Sequence, residues 1–380
     1  MLSRSRKTSS PDQPVHEVAG PAVDRHRKGN SLNLFRLVLA VLVLVSHAYP
    51  IAGRPEPTWQ GQHLGTWAVA GFFVISGYLI TGSRMRTHFS EFLVHRIARI
   101  FPAFVVSLLV TVIVIAPVGY WRVNGTLEGY LTTPNTPLNY VVSNLFLRIP
   151  DFSIAGTPSS VPLVGTWNGS LWTLYYEFLC YLVVGVLALL PVVKRSPVPI
   201  AVAFVLSVLV HANIGVVASY FGPNVDVLFL APLLPYFLGG ALVYVLRDAI
   251  PAGAVVGIGA GTLGVVAILL EPRWGGQAAA PLLTVAILWL STVVPSPAVL
   301  RTHDISYGVY IYTFPLQQIL VLAGLHRTMW LFMLLTLVAV TVPATASWLL
   351  VERPVMRRVR TYDTDRVRRS AQIAQEEPAM

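Results

Sequence analysis

Three ionisable residues, Arg36, His47 and Glu177, lie within long apolar stretches of the sequence. If these stretches cross a membrane, each charge costs about 2.5 to 3.5 kcal/mol to insert, and such residues indicate function by default. Arg36 and His47 are eleven residues apart, which on a helix places them within ~20° of one face and ~16 Å apart along the axis. A guanidinium suits an anionic group, and a neutral imidazole can accept a proton from a hydroxyl. The spacing therefore predicts one groove lined at two depths.

A structural role is the alternative for the same residues. Arg36 can extend its side chain to lipid phosphates, and His47 can be an ordinary interfacial histidine. Glu177 needs a partner at this depth, and Arg36 or His47 is the expected partner. For Glu177, a structural ion pair and a catalytic role are both open.

A second basic cluster flanks a short polar stretch between two apolar runs and contains Arg84, Arg86, Arg96 and Arg99. Ordinary retention of positive charge on the cytoplasmic side explains such a cluster by itself. Arg96 and Arg99, however, lie at the mouth of the next apolar run, just before Pro102. Guanidinium groups at a helix entrance suit phosphate by charge and by bidentate geometry. The cluster therefore predicts a cytoplasmic site for an anionic, phosphate-bearing ligand that connects with Arg36.

The apolar run that contains Glu177 has a polar and aromatic entrance. Trp172 and Tyr176 precede Glu177 within about one and a half helical turns. Trp and Tyr are typical of membrane–water interfaces, where one end of the ring is apolar and the other is wet. We therefore expect Trp172 and Tyr176 to support the site from the interface.

The composition predicts the elements that must position these residues. Of 380 residues, 54% are hydrophobic and 12% are charged, about half the ~25% charged share of a soluble domain. The single cysteine, Cys180, excludes an internal disulfide framework and a cysteine-based metal cluster. We find no metal-ligand spacing, Walker loop or dinucleotide fingerprint, so we expect no metal. The fold class predicted is all-α, a polytopic membrane protein with about ten transmembrane helices.

Ten apolar segments divide the chain. They are residues 31–50, 65–82, 100–121, 170–190, 198–217, 226–246, 253–270, 278–294, 305–325 and 330–351. Residues 1–29 are polar, basic and rich in Ser and Pro, and they predict a disordered cytoplasmic tail. The expected organisation is therefore this tail, a transmembrane domain over residues 30–354, and a cytoplasmic C-terminal tail over residues 355–380.

The basic residues predict the orientation of these segments. With both termini in the cytoplasm, 21 of the 27 basic residues lie on the cytoplasmic side and five lie outside. This placement explains the formal net charge of +10 without nucleic acid as a partner. We therefore expect a multi-pass protein of the cell membrane with both termini cytoplasmic. The long outside connection, residues 122–168, is either a surface for a partner or substrate or a passive connector.

Six segments in the same order resemble the acyltransferase 3 family of integral-membrane acyltransferases, over nearly all of residues 31–354. The matching segments are LFRLVLA at 34–40 with His47 eleven residues after Arg36, GFFVISGYLI at 71–80, HRIARIFP at 95–102, SLWTLYYE at 170–177, SYGVY at 306–310 and VERP at 351–354. The chain departs from many members at Asn33, His95 and Thr313, where Asp, Arg and His are common. These departures loosen a subgroup assignment and leave the Arg36 and His47 pair intact.

The resemblance implies O-acyl transfer, commonly O-acetylation, from cytoplasmic acyl-CoA to a hydroxyl. Coenzyme A has a phosphate-rich head and a long arm that ends in the thioester. Arg36, Arg84, Arg96 and Arg99 are the expected donor-binding residues, and the ~16 Å groove is comparable to an extended arm. His47 is the expected general base, with a covalent acyl-His intermediate as the variant.

The resemblance also implies roles for three neighbouring residues. Glu177 is expected to orient the imidazole or balance a cation. Ser76 and Gly77 are expected to support the site through close helix approach or a hydrogen bond.

The expected partners are acyl-CoA, acetyl-CoA in the simplest case, the lipid bilayer and an acceptor hydroxyl. The first choice of acceptor is a sugar of a cell-surface polysaccharide or lipid-linked glycan of the cell envelope. A glycosylated secondary metabolite is the alternative. A transporter or flippase is the alternative from a different class. Transporters are commonly built from two matching halves with broken helices in each, whereas here the buried charges concentrate in the first four segments.

Overall fold

The long apolar stretches form helices because, without water, a chain satisfies its backbone hydrogen bonds within each helix. The computed structural model describes residues 31–362, so the tail predicted over residues 1–29 and the stretch 363–380 lie outside the described residues. Two short strands, β1 and β2, pair as an antiparallel hairpin between the first two helices. The elements in chain order are α1 Leu32–Ile51, β1 Thr58–Trp59, β2 Gln62–His63, α2 Leu64–Arg86, α3 Phe89–Val110, a π-helical turn Thr111–Ile115, α4 Ala116–Asn124, α5 Pro137–Asn144, α6 Thr173–Leu187, α7 Pro191–Arg195, α8 Val198–Ala212, α9 Ile214–Phe221, α10 Val225–Leu230, α11 Leu234–Leu246, α12 Ala254–Leu270, α13 Gly275–Ala278, α14 Ala280–Val293, α15 Ala298–Thr302, α16 Ser306–Leu322, α17 Met329–Ser347 and a second π-helical turn Trp348–Glu352.

A helix runs through each of the ten predicted apolar segments, and the described part of the chain is mostly helical. Within the described residues, four helices are long and apolar enough to cross a bilayer: Leu32–Ile51, Leu64–Arg86, Phe89–Asn124 and Met329–Tyr362. The pair α8 and α9 makes a fifth if it is one span bent by 82°. Helices α6, α11, α12 and α14 are apolar but shorter. The count of ten spans and the position of the termini therefore remain predictions.

Two helices extend beyond their predicted bounds. α3, the first π-helical turn and α4 form one helix of 36 residues, about 54 Å long, against a hydrocarbon core of ~30 Å. The last long helix continues to Tyr362, past the predicted domain boundary at Pro354. Polar residues extend both helices because a helix in progress needs no apolar surface to add another turn.

Helix α16 lies in the centre of the fold. Most of its side chains are buried, including the polar residues Gln317 and Gln318. It packs against α1, α3, α4 and α17. Gln317 Nε2 donates to the carbonyl oxygen of Leu44 at 3.0 Å, which joins α16 to α1 one turn before His47. The two helices therefore hold a fixed register beside the site.

Helices α2 and α11 approach unusually closely, through glycine. A Cβ on Gly77 would lie 1.9 Å from the carbonyl oxygen of Phe237, and one on Gly240 would lie 2.2 Å from the carbonyl oxygen of Val74. Both distances are shorter than any contact that a side chain accepts. Gly77 therefore serves close helix packing in this structure, which was one of its two expected roles.

The connection over residues 122–168 packs on the ends of the helices. Trp167 is fully buried and donates through Nε1 to Thr157 Oγ1 at 3.1 Å. Asn168 Nδ2 donates to the carbonyl oxygen of Ile311 in α16 at 2.7 Å. These contacts fix the chain that enters α6, and so they position Ser170 and Glu177.

Candidate active site

Arg36 and His47 both face the segment that contains α16, as their spacing predicts. The Arg36 guanidinium donates to Asp304 Oδ2, two residues before α16 begins. The imidazole of His47 packs edge-on against Phe314 within α16, with 5.3 Å between ring centroids. One face of α1 therefore carries a cation at one depth and an imidazole about 16 Å further along.

Asp304 is the centre of a buried ionic network. Arg99 donates to Asp304 Oδ2 at 2.6 Å, and Ser306 Oγ donates to Asp304 Oδ1 at 2.5 Å. Burial by itself would raise the pKa of Asp304, but Arg36, Arg99 and the hydrogen bonds from Ser306 outweigh it and lower the pKa below its ordinary value. Asp304 is therefore an anion that holds two guanidinium groups together.

Glu352 extends this network from the second π-helical turn. Arg99 Nη1 donates to Glu352 Oε2 at 3.0 Å, and the Glu352 side chain is 1% exposed. The Arg99 guanidinium also lies over the rings of Tyr307 and Trp348, at 5.8 and 5.7 Å from their centroids. Two cations thus meet two carboxylates, which balances the charge where the water is excluded.

Arg84 and Arg96, the other two predicted donor-binding residues, have different surroundings. Arg84 is buried and donates to the carbonyl oxygens of Gly185 and Thr87, at 3.1 and 2.9 Å. Those contacts join the end of α2 to α6 and favour a structural role. The Arg96 guanidinium lies over the rings of Phe92 and Tyr181, and its buried Nε has no hydrogen-bond partner in the described part of the chain. Arg96 therefore has a buried donor left to offer.

His47 is held by the residues that enter α6. Its Nδ1 lies 3.4 Å from the hydroxyl of Ser170, which is buried. The backbone N–H of Ser170 donates to Asn168 Oδ1 at 3.2 Å, and Tyr310 donates through its hydroxyl to the Ser170 carbonyl oxygen at 2.9 Å. Ser170 therefore contacts the Nδ1 side of the imidazole, and Nε2 is the nitrogen on the far side of the ring from this contact.

Glu177 is bound by neutral hydroxyl groups rather than by the expected partners Arg36 or His47. Ser76 Oγ donates to Glu177 Oε1 at 2.9 Å, and the Tyr181 hydroxyl donates to the same oxygen at 2.6 Å. Ser76 thus makes the hydrogen bond that was one of its expected roles. The expected partnership is wrong because Arg36 already binds Asp304, which the sequence reading had not considered.

Arg36 and Glu177 nevertheless line the same small cavity. Its volume is about 40 Å³, and Phe72, Thr173 and Tyr310 also line it. The Thr173 and Tyr310 hydroxyl groups lie 2.5 Å apart. The cavity therefore lies between Arg36 of the ionic network and the Thr173 and Tyr310 hydroxyl groups, which both donate to the carbonyl oxygen of Ser170.

Trp172 and Tyr176 form an aromatic cluster on α6. Their ring centroids are 5.6 Å apart, and both rings contact Phe229 of α10. Edge-on aromatic pairs of this kind stabilise a contact by about 0.5 to 1.5 kcal/mol beyond area burial. The cluster joins the start of α6 to α10.

The sequence reading missed Asp304, Glu352 and Ser170 as site residues. Glu352 lies in the VERP segment and Ser170 begins the SLWTLYYE segment, but neither position indicates a role by itself. Asp304 directly precedes an apolar run, and a carboxylate at that position was the available signal. Within residues 31–362 no group of three or more His, Cys, Asp or Glu side chains is placed to hold a metal ion.

Comparison with known proteins finds relatives over most of the chain. The family model described as an acyltransferase domain, that of the acyltransferase 3 family, matches residues 30–350. The chain is 32% identical to a protein of Shigella phage Sf6 named O-acetyl transferase, over 87% of this chain and 97% of that protein. It is 27% identical to Nodulation protein 10 of Rhizobium leguminosarum bv. viciae, over 89% of this chain and 96% of that protein. No solved structure gives a significant match.

The family match covers the helices that carry Arg36, His47 and Glu177, and it includes Arg99 and Asp304 of the ionic network. The match covers nearly the whole length of the phage relative, so the likeness is not confined to a shared membrane anchor. The chain therefore belongs to the acyltransferase 3 family, and it is an O-acyltransferase.

Proposed function

We propose that this enzyme transfers an acetyl group from cytoplasmic acetyl-CoA to a sugar hydroxyl of a cell-surface polysaccharide or lipid-linked glycan. The observation that carries the proposal is the arrangement on α1, where Arg36 and His47 face α16 at two depths. The name of the phage relative, O-acetyl transferase, supports acetyl as the group transferred. The proposal places the chain in the cell membrane with ten spans and both termini in the cytoplasm, as the distribution of basic residues predicts.

In this proposal the phosphates of the donor bind at the end of the bundle where α1 begins. Arg96 offers the unpartnered Nε, and Arg36 and Arg99 offer positive charge once the network around Asp304 adjusts. Guanidinium groups bind phosphate in a bidentate manner, which also fixes the orientation of the head group. The arm of the donor then follows α1 toward His47 and brings the thioester to it.

His47 acts as the general base in the proposed reaction. Nδ1 lies 3.4 Å from Ser170 Oγ, and the proposed reaction uses the tautomer in which Nδ1 carries the proton and faces this hydroxyl. In that tautomer Nε2 is the basic nitrogen that takes the proton of the acceptor hydroxyl. As that proton moves, the acceptor oxygen forms a bond to the thioester carbon and the carbon–sulfur bond breaks. The imidazolium then returns the proton to the leaving thiolate. General base catalysis of this kind typically contributes ~10² to 10⁴ in rate.

Glu177 has a supporting role in this proposal. It lies beside the same small cavity as Arg36, and its carboxylate is held by Ser76 and Tyr181. A carboxylate fixed at this point balances the positive charge of the nearby guanidinium groups when the donor is absent. We propose that Glu177 orients the arm of the donor between the arginines and His47, and that it does not orient the imidazole.

The test compares His47→Ala with His211→Ala. His47→Ala removes the base and should lower acetyl transfer by about 10² or more, because no other group replaces the imidazole. His211 lies in α8 and binds the carbonyl oxygen of Arg273, so its loss should leave transfer within about twofold. Mass spectrometry of surface glycans from cells that carry each variant measures transfer as an added acetyl mass.

Both variants are first checked for insertion and for an unchanged unfolding midpoint in detergent. Full transfer by a correctly inserted His47→Ala protein would exclude the assigned base. An acetyl mass on a small glycosylated metabolite, with none on surface glycans, would retain the chemistry and replace the proposed acceptor.

A further inference from the structure

A second cavity, of about 580 Å³, lies outside the candidate active site. It is enclosed by α2, α11, α12 and α14 and by the first residue of α1. Its volume falls within the range of about 300 to 1,000 Å³ that small-molecule sites occupy. None of its lining residues also lines the small cavity between Arg36 and Glu177. The larger cavity is therefore a separate candidate for a ligand.

The two cavities are lined by different parts of α2, the small one by Val69, Phe72 and Phe73 and the larger one by residues from Tyr78 onward. Ser76 donates to Glu177 on the active-site face, whereas Tyr78 lines the larger cavity. Two residues along a helix correspond to a rotation of ~200°, so the two side chains point away from each other. The same rotation separates Arg84, which binds the carbonyl oxygen of Gly185, from Arg86, which lines the cavity. The body of α2 thus divides this cavity from the catalytic groups.

Glycines make room for the aromatic walls of the cavity. A Cβ on Gly82 would lie 2.6 Å from the ring of Tyr244, and one on Gly257 would lie 2.2 Å from the ring of Trp289. The Tyr244 ring therefore packs directly on the backbone of α2, and the Trp289 ring on that of α12. Tyr78 packs edge-on against Tyr244 with 5.5 Å between ring centroids.

Two guanidinium groups stand at one end of the cavity. Arg86 is exposed, and its one hydrogen bond among the described residues goes to the hydroxyl of Tyr244, at 3.3 Å. Arg247 lies over the Tyr244 ring at 4.4 Å and pairs with Asp248 at 3.2 Å, a carboxylate that is 65% exposed. Two cations and one solvated anion leave a net positive charge at this end.

We propose that this cavity binds an anionic phospholipid, with its phosphate on Arg86 and Arg247 and an acyl chain along the apolar wall. The wall is formed by Leu79, Val256 and Leu288. Basic groups between membrane helices bind anionic head groups, and the hydrocarbon wall adds affinity that a free phosphate would not gain. The cations favour this lipid over a zwitterionic one, and the bilayer around a membrane protein supplies it.

The experiment measures lipid binding to the purified full-length protein in detergent by native mass spectrometry. Phosphatidylglycerol and phosphatidylcholine are titrated separately, and inorganic phosphate and acetyl-CoA are added as competitors. The test variant is Arg86→Gln with Arg247→Gln. The matched control is Arg195→Gln with Arg273→Gln, which removes two exposed arginines that do not line the cavity.

The wild-type protein and the control should retain one phosphatidylglycerol more tightly than phosphatidylcholine. Each basic group near an anionic lipid is worth about fivefold in affinity, so the test variant should bind about 25-fold more weakly. Equal retention by the test variant and the control overturns the site, as does equal binding of the two lipids. Displacement by inorganic phosphate alone overturns the lipid assignment in favour of a phosphate site, and displacement by acetyl-CoA at low concentration overturns it in favour of a donor site.

Discussion

Ser170 links the residues that enter α6 to the imidazole of His47, so removing its hydroxyl tests the effect of a single hydrogen bond on the rate. Ser170→Ala should lower kcat by about fivefold, since a net hydrogen bond of ~1 kcal/mol would no longer fix the tautomer. KM for the donor should stay unchanged, because the arginines that we propose for the phosphates are untouched. Steady-state kinetics with acetyl-CoA and an acceptor glycan measure both constants.

The control for this variant is Ser219→Ala, which removes a hydroxyl that binds only a local carbonyl oxygen in α9. Ser170→Thr keeps the hydroxyl and should recover most of the rate. A rise in KM with an unchanged kcat would instead assign Ser170 to donor binding.

Asp304 is the residue on which the ionic network depends. Asp304→Asn keeps the shape but leaves Arg36 and Arg99 without their shared anion, and breaking a buried pair costs about 3 to 5 kcal/mol. The unfolding midpoint in detergent should fall markedly. Glu271→Gln breaks an exposed pair with Arg273 and should cost at most about 1 kcal/mol. Equal midpoints for the two variants would contradict this account of the network.

The lowered pKa of Asp304 also predicts a pH dependence. Its stabilisation is present above the ordinary carboxyl pKa of ~3.9 and is lost as the pH falls through the lower pKa of the folded state. Thermal unfolding should therefore show an acid loss of stability that is smaller in Asp304→Asn, which has no carboxyl to protonate. An acid profile identical in the two proteins would assign that loss to other groups.

At the scale of elements, the approach of α2 and α11 depends on Gly77. Gly77→Ala places a methyl group against the Phe237 carbonyl oxygen and should cost about 1 to 3 kcal/mol, since the backbone must move. Gly259→Ala on α12 is the matched control because a Cβ there has no heavy atom within 4 Å. The control should be neutral or slightly stabilising, since Ala favours a helix by about 1 kcal/mol over Gly. Unfolding midpoints in detergent compare the two, and a neutral Gly77→Ala would show that the helices separate freely.

At the scale of the whole molecule, the proposed orientation can be read through cysteine labelling. The lone Cys180 is fully buried, so an introduced cysteine reports with little background. A membrane-impermeant maleimide should label Thr126→Cys in intact cells, because the connection that holds it is placed outside. Lys194→Cys, in α7, should react only after the cells are permeabilised, because the proposed orientation puts this helix in the cytoplasm. The reverse pattern, or labelling of both, would overturn the orientation.

The helical membrane class and the shared face of Arg36 and His47 followed from local properties of the chain. Hydropathy and helical periodicity depend on neighbouring residues alone, so the sequence carries them directly. The lengths of the helices were less accessible. The pair α8 and α9 bends by 82° at Asn213, and α10 and α11 are separated near Pro232, within segments that hydropathy shows as continuous.

The sequence by itself determined which residue types lie within the apolar segments. It identified Arg36, His47 and Glu177 as ionisable residues whose position there requires a partner or a function. Only the tertiary structure decided their partners. Asp304 reaches Arg36 across 268 positions of the chain, and Ser170 reaches His47 across 123. Such pairs form because buried charges and donors must find partners wherever packing brings them, and that packing belongs to the whole fold rather than to any one segment.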